Sequence, residues 1–131
     1  ALASDDPTPR QGLARIEGRL APLAWPLAVV VLGMGEDGHT ASFFPDADRL
    51  AQALDPATKR LVEAIEAPGA GEPRITLTAP PLLDAGLTLL HIEGLAKRET
   101  LRRAEAPGPV EAMPIRLFLR EARGLEIYWT A

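Results

Sequence analysis

The sequence predicts an α/β fold, a three-layer parallel sheet with helices on both faces, and three observations point there. Residues 27–32 (LAVVVL) form an unbroken apolar run between Pro26 and Gly33, the pattern of a strand covered on both sides rather than one. Residues 87–93 (LTLLHIE) form a second such run, entered from Gly86 and left at Gly94. Segments of helical period lie before, between and after these runs, and strands alternating with helices indicate a parallel sheet.

Taken in order, residues 1–9 are polar and proline-bearing, a loose lead-in. Leu13, Ile16 and Leu20 then recur at helical spacing with Arg15 and Glu17 between them, so residues 10–21 are expected to form an amphipathic helix closed by Pro22. After the first buried strand come Gly33 to Pro45, where a short helix is expected near Thr40, and a loop to residue 57 with one helical turn. Residues 60–67 lean to strand, residues 68–73 (PGAGEP) to loop, and residues 74–78 (RITLT) to a short β-branched strand. Thr78 resembles an N-cap, with Pro80 in the first turn of the helix it opens. Residues 95–104 read as a helix bearing Lys97, Arg98, Arg102 and Arg103; residues 115–120 fit either period; residues 125–129 (LEIYW) read as a closing strand.

Composition narrows the function. Fourteen lysines and arginines against eighteen acids leave a net charge of −4, with no basic footprint for nucleic acid. The absence of cysteine removes disulfides, thiolate metal sites and a cysteine nucleophile. No apolar run approaches the ~20 residues that span a bilayer, and no charged segment precedes an apolar one at the N-terminus. The expectation is a cytoplasmic protein, without membrane or nucleic-acid partners.

The segment GMGEDGHTASFFP, Gly33 to Pro45, follows directly on the first buried strand, where open α/β sheets place their ligands. Gly33, Gly35 and Gly38 match the spacing of a dinucleotide fingerprint, but Pro45 cuts the following helix short and Asp37 and His39 stand where a pyrophosphate needs bare backbone. A Walker loop fails because no lysine follows the last glycine. The arrangement suits hydrolysis at a polarised carbonyl: His39 takes a proton from water, Asp37 orients the imidazole, and N–H groups of the glycine turn meet the oxyanion, while the helix near Thr40 favours an anion. The residues alone leave a second reading open, in which Asp37 forms a turn and His39 faces solvent at a helix start.

The stretch from Leu32 to Pro45 resembles the signature of the 6-phosphogluconolactonase family, which shares its fold with glucosamine-6-phosphate deaminase and ribose-5-phosphate isomerase. The likeness extends to PRITLT from Pro73 to Thr78, to HIEGLAK from His91 to Lys97, and to the closing LEIYW. The resemblance implies hydrolysis of 6-phosphogluconolactone without metal or other cofactor, with His39 activating water and Asp37 beside it. It implies a phosphate held by Arg74 and Lys97, beside the substrate contacts expected of the turn from Gly33, Gly35, Gly38 and Thr40. Family members are nearly twice as long, so the chain is expected to be the C-terminal portion of a single lactonase domain, residues 1–131, whose sheet an N-terminal half or another chain completes. Two alternatives remain: a sugar-phosphate isomerase or deaminase of the same fold, and a non-catalytic phosphosugar-binding fragment. His91 is expected to pack in the core or on a sheet face. Trp25 and Trp129 are expected in the core or at an interface, and Arg98, Arg102 and Arg103 on a solvated, ion-paired helix face.

Overall fold

The computed structural model describes residues 2–131. In chain order it contains α1 (Pro9–Leu20), β1 (Val29–Leu32), α2 (Leu50–Leu54), β2 (Val62–Ile65), a 3-10 turn (Pro68–Ala70), β3 (Arg74–Leu77), α3 (Ala79–Leu83), β4 (Leu87–Glu93), α4 (Gly94–Glu105), α5 (Ile115–Glu121) and β5 (Glu126–Thr130). The two apolar runs become neighbours: β1, β4 and β5 form a parallel sheet in the order β1-β4-β5, with Val30 beside Thr88, Leu32 beside Leu90, and Leu90 beside Ile127. The ambiguous segment at 115 is helical, its Ile115 and Phe118 buried three residues apart on one face.

The remaining strands stand apart from that sheet. β2 and β3 make an antiparallel hairpin around the Pro68–Ala70 turn, Val62 opposite Leu77 and Ile65 opposite Arg74. α1 begins with Pro9 in its first turn, and the Thr8 hydroxyl oxygen caps it by accepting from the Gln11 N–H. Its Leu13 and Ile16 pack on Val62 and Ala64. The Glu17 carboxylate, 2.6 Å from the Leu61 N–H, ties helix to hairpin. On the other side of β2, the buried Glu63 carboxylate is offset by Arg49 at 3.3 Å and Arg60 at 3.8 Å, since a buried charge needs such partners. Thr78 does stand at the start of α3 but does not cap it; its hydroxyl donates instead to the Arg60 carbonyl at 2.6 Å.

The helices α2 to α5 pack against one face of the parallel sheet, while α1 stays on the hairpin. Val30, Leu32, Leu90 and Ile92 point into a core completed by Phe43, Leu82, Ile115 and Phe118. The opposite face carries Val29, Val31, Leu89 and His91. Val29 is 50% and Val31 67% exposed, so the expectation of a first strand covered on both sides is corrected: within this chain it is covered on one. Of the three expected layers, the chain supplies the sheet and one layer of helices. His91 is exposed on the bare face, 3.6 Å from Glu93, which excludes the core half of its expected placement. The Trp129 indole N–H donates to the Gly94 carbonyl at 3.0 Å, and the Arg98 guanidinium sits 4.7 Å over its ring.

The Phe43 and Phe118 rings, both fully buried, lie 6.1 Å apart between the sheet and the site loop. Truncation of Phe118 to Ala is expected to cost about 3–5 kcal/mol by urea unfolding, through lost burial and the cavity left behind.

Candidate active site

Where β1 ends, the backbone turns back on itself. The Gly38 N–H donates to the Gly35 carbonyl at 3.0 Å and the Gly35 N–H to the His39 carbonyl at 2.9 Å. Gly38 has φ +84° and lies against Met113, a conformation and a clearance that exclude a side chain. Its carbonyl accepts from the Ile115 N–H at 3.0 Å, so the start of α5 holds the far side of the turn.

Within this frame Asp37 Oδ1 accepts twice from one residue, from the His39 backbone N–H at 3.0 Å and from its ring Nδ1 at 2.6 Å. An ionised carboxylate only accepts, so Nδ1 carries the proton of this hydrogen bond and Nε2 is the ring nitrogen that the carboxylate does not hold. The ring lies over Gly35, where a Cβ would stand 2.2 Å from Nδ1 and Cε1 and 2.7 Å from Asp37 Oδ1. Its other contact is Phe44, stacked at 4.2 Å between centroids with 28° between planes. The imidazole is 30% exposed, which keeps it open to a water or a ligand. Burial raises the Asp37 pKa, but the two hydrogen bonds and the charge of His39 outweigh it and hold the carboxyl below its ordinary range.

The other expected site residues separate into contact and support. Gly33 has open space around its Cα. Thr40 is 1% exposed, and its hydroxyl donates to the Gly33 carbonyl at 2.7 Å, which makes it a brace of the loop rather than a surface for substrate. The expected helix near Thr40 does not form: Ala41 has φ +49° and Thr40 bridges to Phe43, so no helix N-terminus faces the site. Nor is the glycine turn free to meet an oxyanion through Gly35 and Gly38, whose N–H groups are consumed within the loop. Arg74 Nη2 donates to the Ala70 carbonyl at 3.1 Å and lies 3.5 Å from Glu72. The same 3-10 turn approaches the site, since a Cβ on Gly69 would be 3.7 Å from Asp37 Oδ2. Lys97 is half-buried on α4 and makes no ion pair among the described residues. One turn further along that helix, the Thr100 hydroxyl lies 3.2 Å from the Glu36 carbonyl of the site loop. The structure thus brings Asp37 and His39 together and sets the elements bearing Arg74 and Lys97 against the same loop.

Phe44 went unnoticed in the sequence, although an aromatic five residues beyond a candidate base is a visible signal for a ring stack. Among the described residues no cluster of three or more His, Cys, Asp or Glu could hold a metal ion, and no helix is long and apolar enough to cross a membrane.

The loop of Asp37 and His39 lies beyond the carboxyl end of β1, where open parallel α/β sheets place their ligand sites, so fold and site define an α/β protein with a candidate strand-end site. The family model for glucosamine-6-phosphate isomerases/6-phosphogluconolactonase matches residues 1–129, and the chain belongs to that family. It is 57% identical over 123 residues to the 6-phosphogluconolactonase of Rhizobium meliloti, covering 93% of this chain and 53% of that relative. It is 55% identical over 130 residues to the 6-phosphogluconolactonase of Mesorhizobium japonicum, covering 98% and 49%. Among solved structures, a 6-phosphogluconolactonase from Shewanella baltica superposes with a TM-score of 0.94 at 35% identity, over 99% of this chain and 55% of that one. A monomeric glucosamine-6-phosphate deaminase, at 15% identity and a TM-score of 0.69, shares the fold. The chain spans about half the length of the curated relatives it matches.

Because the Asp37 pKa is lowered in the folded state, its carboxylate contributes stability that is present above the unfolded value of 3.8 and is lost as pH falls through the folded value. A carbon-detected NMR titration of Asp37 is expected to give a midpoint below 3.8; a midpoint at or above it contradicts the paired geometry.

Proposed function

We propose that the complete protein hydrolyses 6-phospho-D-glucono-1,5-lactone to 6-phosphogluconate, the reaction of the oxidative pentose phosphate pathway, in the cytoplasm. The observation that carries this reading is the 2.6 Å contact of His39 Nδ1 with Asp37, which leaves Nε2 as the ring nitrogen not held by the carboxylate on a partly exposed ring. Nε2 removes a proton from a water molecule, whose oxygen adds to the lactone carbonyl. Collapse of the tetrahedral intermediate breaks the bond from that carbon to the ring oxygen, and the imidazolium returns its proton to the departing oxygen. Asp37 stabilises the imidazolium between the two transfers without itself taking the proton. Arg74 and Lys97 are the candidate cations for the substrate phosphate. Gly33, with open space at its Cα, lets the sugar approach the backbone, while Gly35, Gly38 and Thr40 shape the loop beneath.

The chain is read as the C-terminal portion of one lactonase domain. Its bare sheet face, and an apolar cavity of about 350 Å³ between β1 and β3 lined by Val31, Leu32, Ile75 and Leu77, support a further portion of protein covering this side. The curated relatives, named 6-phosphogluconolactonase and about twice as long, support a longer complete protein.

Replacing His39 by Ala in the complete protein is expected to lower kcat by about 10²–10⁴-fold, the usual contribution of a general base. The assay follows lactone opening above its spontaneous rate. Undiminished turnover in the variant removes His39 from the mechanism, and conversion of glucosamine 6-phosphate without lactone hydrolysis replaces this reaction with deamination.

A further inference from the structure

Two donors from α4 converge on one carbonyl of the site loop. The Thr100 hydroxyl lies 3.2 Å from the Glu36 oxygen and Arg103 Nη2 lies 3.0 Å from it, while the same Nη2 is 2.9 Å from the Thr100 hydroxyl oxygen. Thr100 is 1% exposed. Its single hydroxyl proton also has the Ala96 carbonyl of its own helix within 3.1 Å and is shared between helix and loop, so Arg103 is the donor committed to Glu36 and Thr100 the side chain that holds Arg103 Nη2 beside it. The base of Arg103 is itself held: the buried Arg116 donates to the carbonyls of Arg103 and Ala104, each at 3.2 Å, and of Pro109 at 3.0 Å. These bonds fasten the last turn of α4 to the segment leading into α5.

The Glu36 carbonyl and the Asp37 N–H belong to one planar peptide unit. Aiming the carbonyl at α4 therefore orients the whole plane and turns the Asp37 N–H the other way. The Asp37 carboxylate springs from the next atom of that chain, and its two hydrogen bonds to His39 require the plane to stay where it is. One of the two α4 donors is cationic, and charge-assisted bonds are roughly twice as strong as neutral ones.

We propose that Thr100 and Arg103 are positioning residues for the pair of Asp37 and His39, holding the peptide between Glu36 and Asp37 so that the carboxylate stays in line with imidazole Nδ1. Neither residue touches substrate in this scheme. The kinetic consequence rests on the hydrolase reading of His39, whereas the geometric claim does not.

The test uses the complete protein with Thr100→Val, Arg103→Met and the double variant, beside the conservative Thr100→Ser. Two quantities are read: steady-state lactone hydrolysis, and the proton resonance of the His39 Nδ1–H at neutral pH. In the double variant kcat is expected to fall about tenfold, the scale of one net hydrogen bond, with KM unchanged. The Nδ1–H resonance is expected to broaden or vanish there, and Thr100→Ser to restore both quantities. If the double variant does not fold, the two single variants decide by the same readings. A wild-type protein that opens no lactone defeats the functional reading, and the resonance still decides the positioning. An unchanged resonance in the variants overturns the proposal whatever the rate, and so does a raised KM at unchanged kcat, which would put these side chains at the substrate.

Discussion

The site depends on a missing side chain. The His39 ring reaches the Asp37 carboxylate only because residue 35 is glycine: any Cβ there would stand 2.2 Å from the imidazole and 2.7 Å from the carboxylate oxygen. Bare backbone lets the loop close with the ring folded over it, between Gly35 below and Phe44 stacked at 4.2 Å. An imidazole so confined has few rotamers left, and its two nitrogens acquire separate tasks. Nδ1 is committed to the carboxylate, and Nε2 is the nitrogen that the proposed hydrolysis uses. This order is imposed before any substrate arrives, which is how positioned groups lower a barrier.

That local constraint is held in place by the rest of the chain. α5 fastens the Gly38 carbonyl through the Ile115 N–H, Thr40 fastens the Gly33 carbonyl from within, and α4 reaches the Glu36 carbonyl between them. The loop is thus held at three backbone oxygens, one from within and two by α4 and α5. The bare face of the sheet carries exposed Val29 and Val31, an apolar strip at the strand edge where a sheet ordinarily continues. The half of the scaffold that bears the proposed base is well braced, whereas the bare face has the character of a surface meant to be covered.

Much of this was legible in the residues. The apolar runs at 27–32 and 87–93 showed β1 and β4, the helical spacing of Leu13, Ile16 and Leu20 showed α1, and the crowding of glycine, carboxylate and histidine beyond the first strand marked the loop in which Asp37 and His39 meet. What the sequence concealed follows from physics that pattern does not carry. An unalternating run reads as a strand buried on both faces, yet burial depends on what lies opposite, and the described residues leave Val31 67% exposed. A helix beginning at Thr40 was a fair reading of spacing, but the Thr40 hydroxyl is drawn to the Gly33 carbonyl and Ala41 takes a left-handed conformation, so the chain turns instead. The glycine N–H groups looked free for an oxyanion because nothing in a sequence shows that Gly35 and His39 close a ring of hydrogen bonds on themselves. The α4 contacts to Glu36 were equally invisible, since they join residues 64 and 67 positions apart.

The central claim is that Nε2 of His39, and no other group of the loop, faces the reacting carbonyl through one water molecule. Its most direct measurement is a crystal structure of the complete protein with the 6-phosphate of a six-membered lactam, whose carbonyl imitates the lactone and resists opening. The account predicts a water within hydrogen-bond reach of Nε2 and beside the lactam carbonyl carbon, with Nδ1 still on Asp37. A lactam carbonyl seated away from the imidazole, or a ring turned so that Nδ1 leaves the carboxylate, would contradict it.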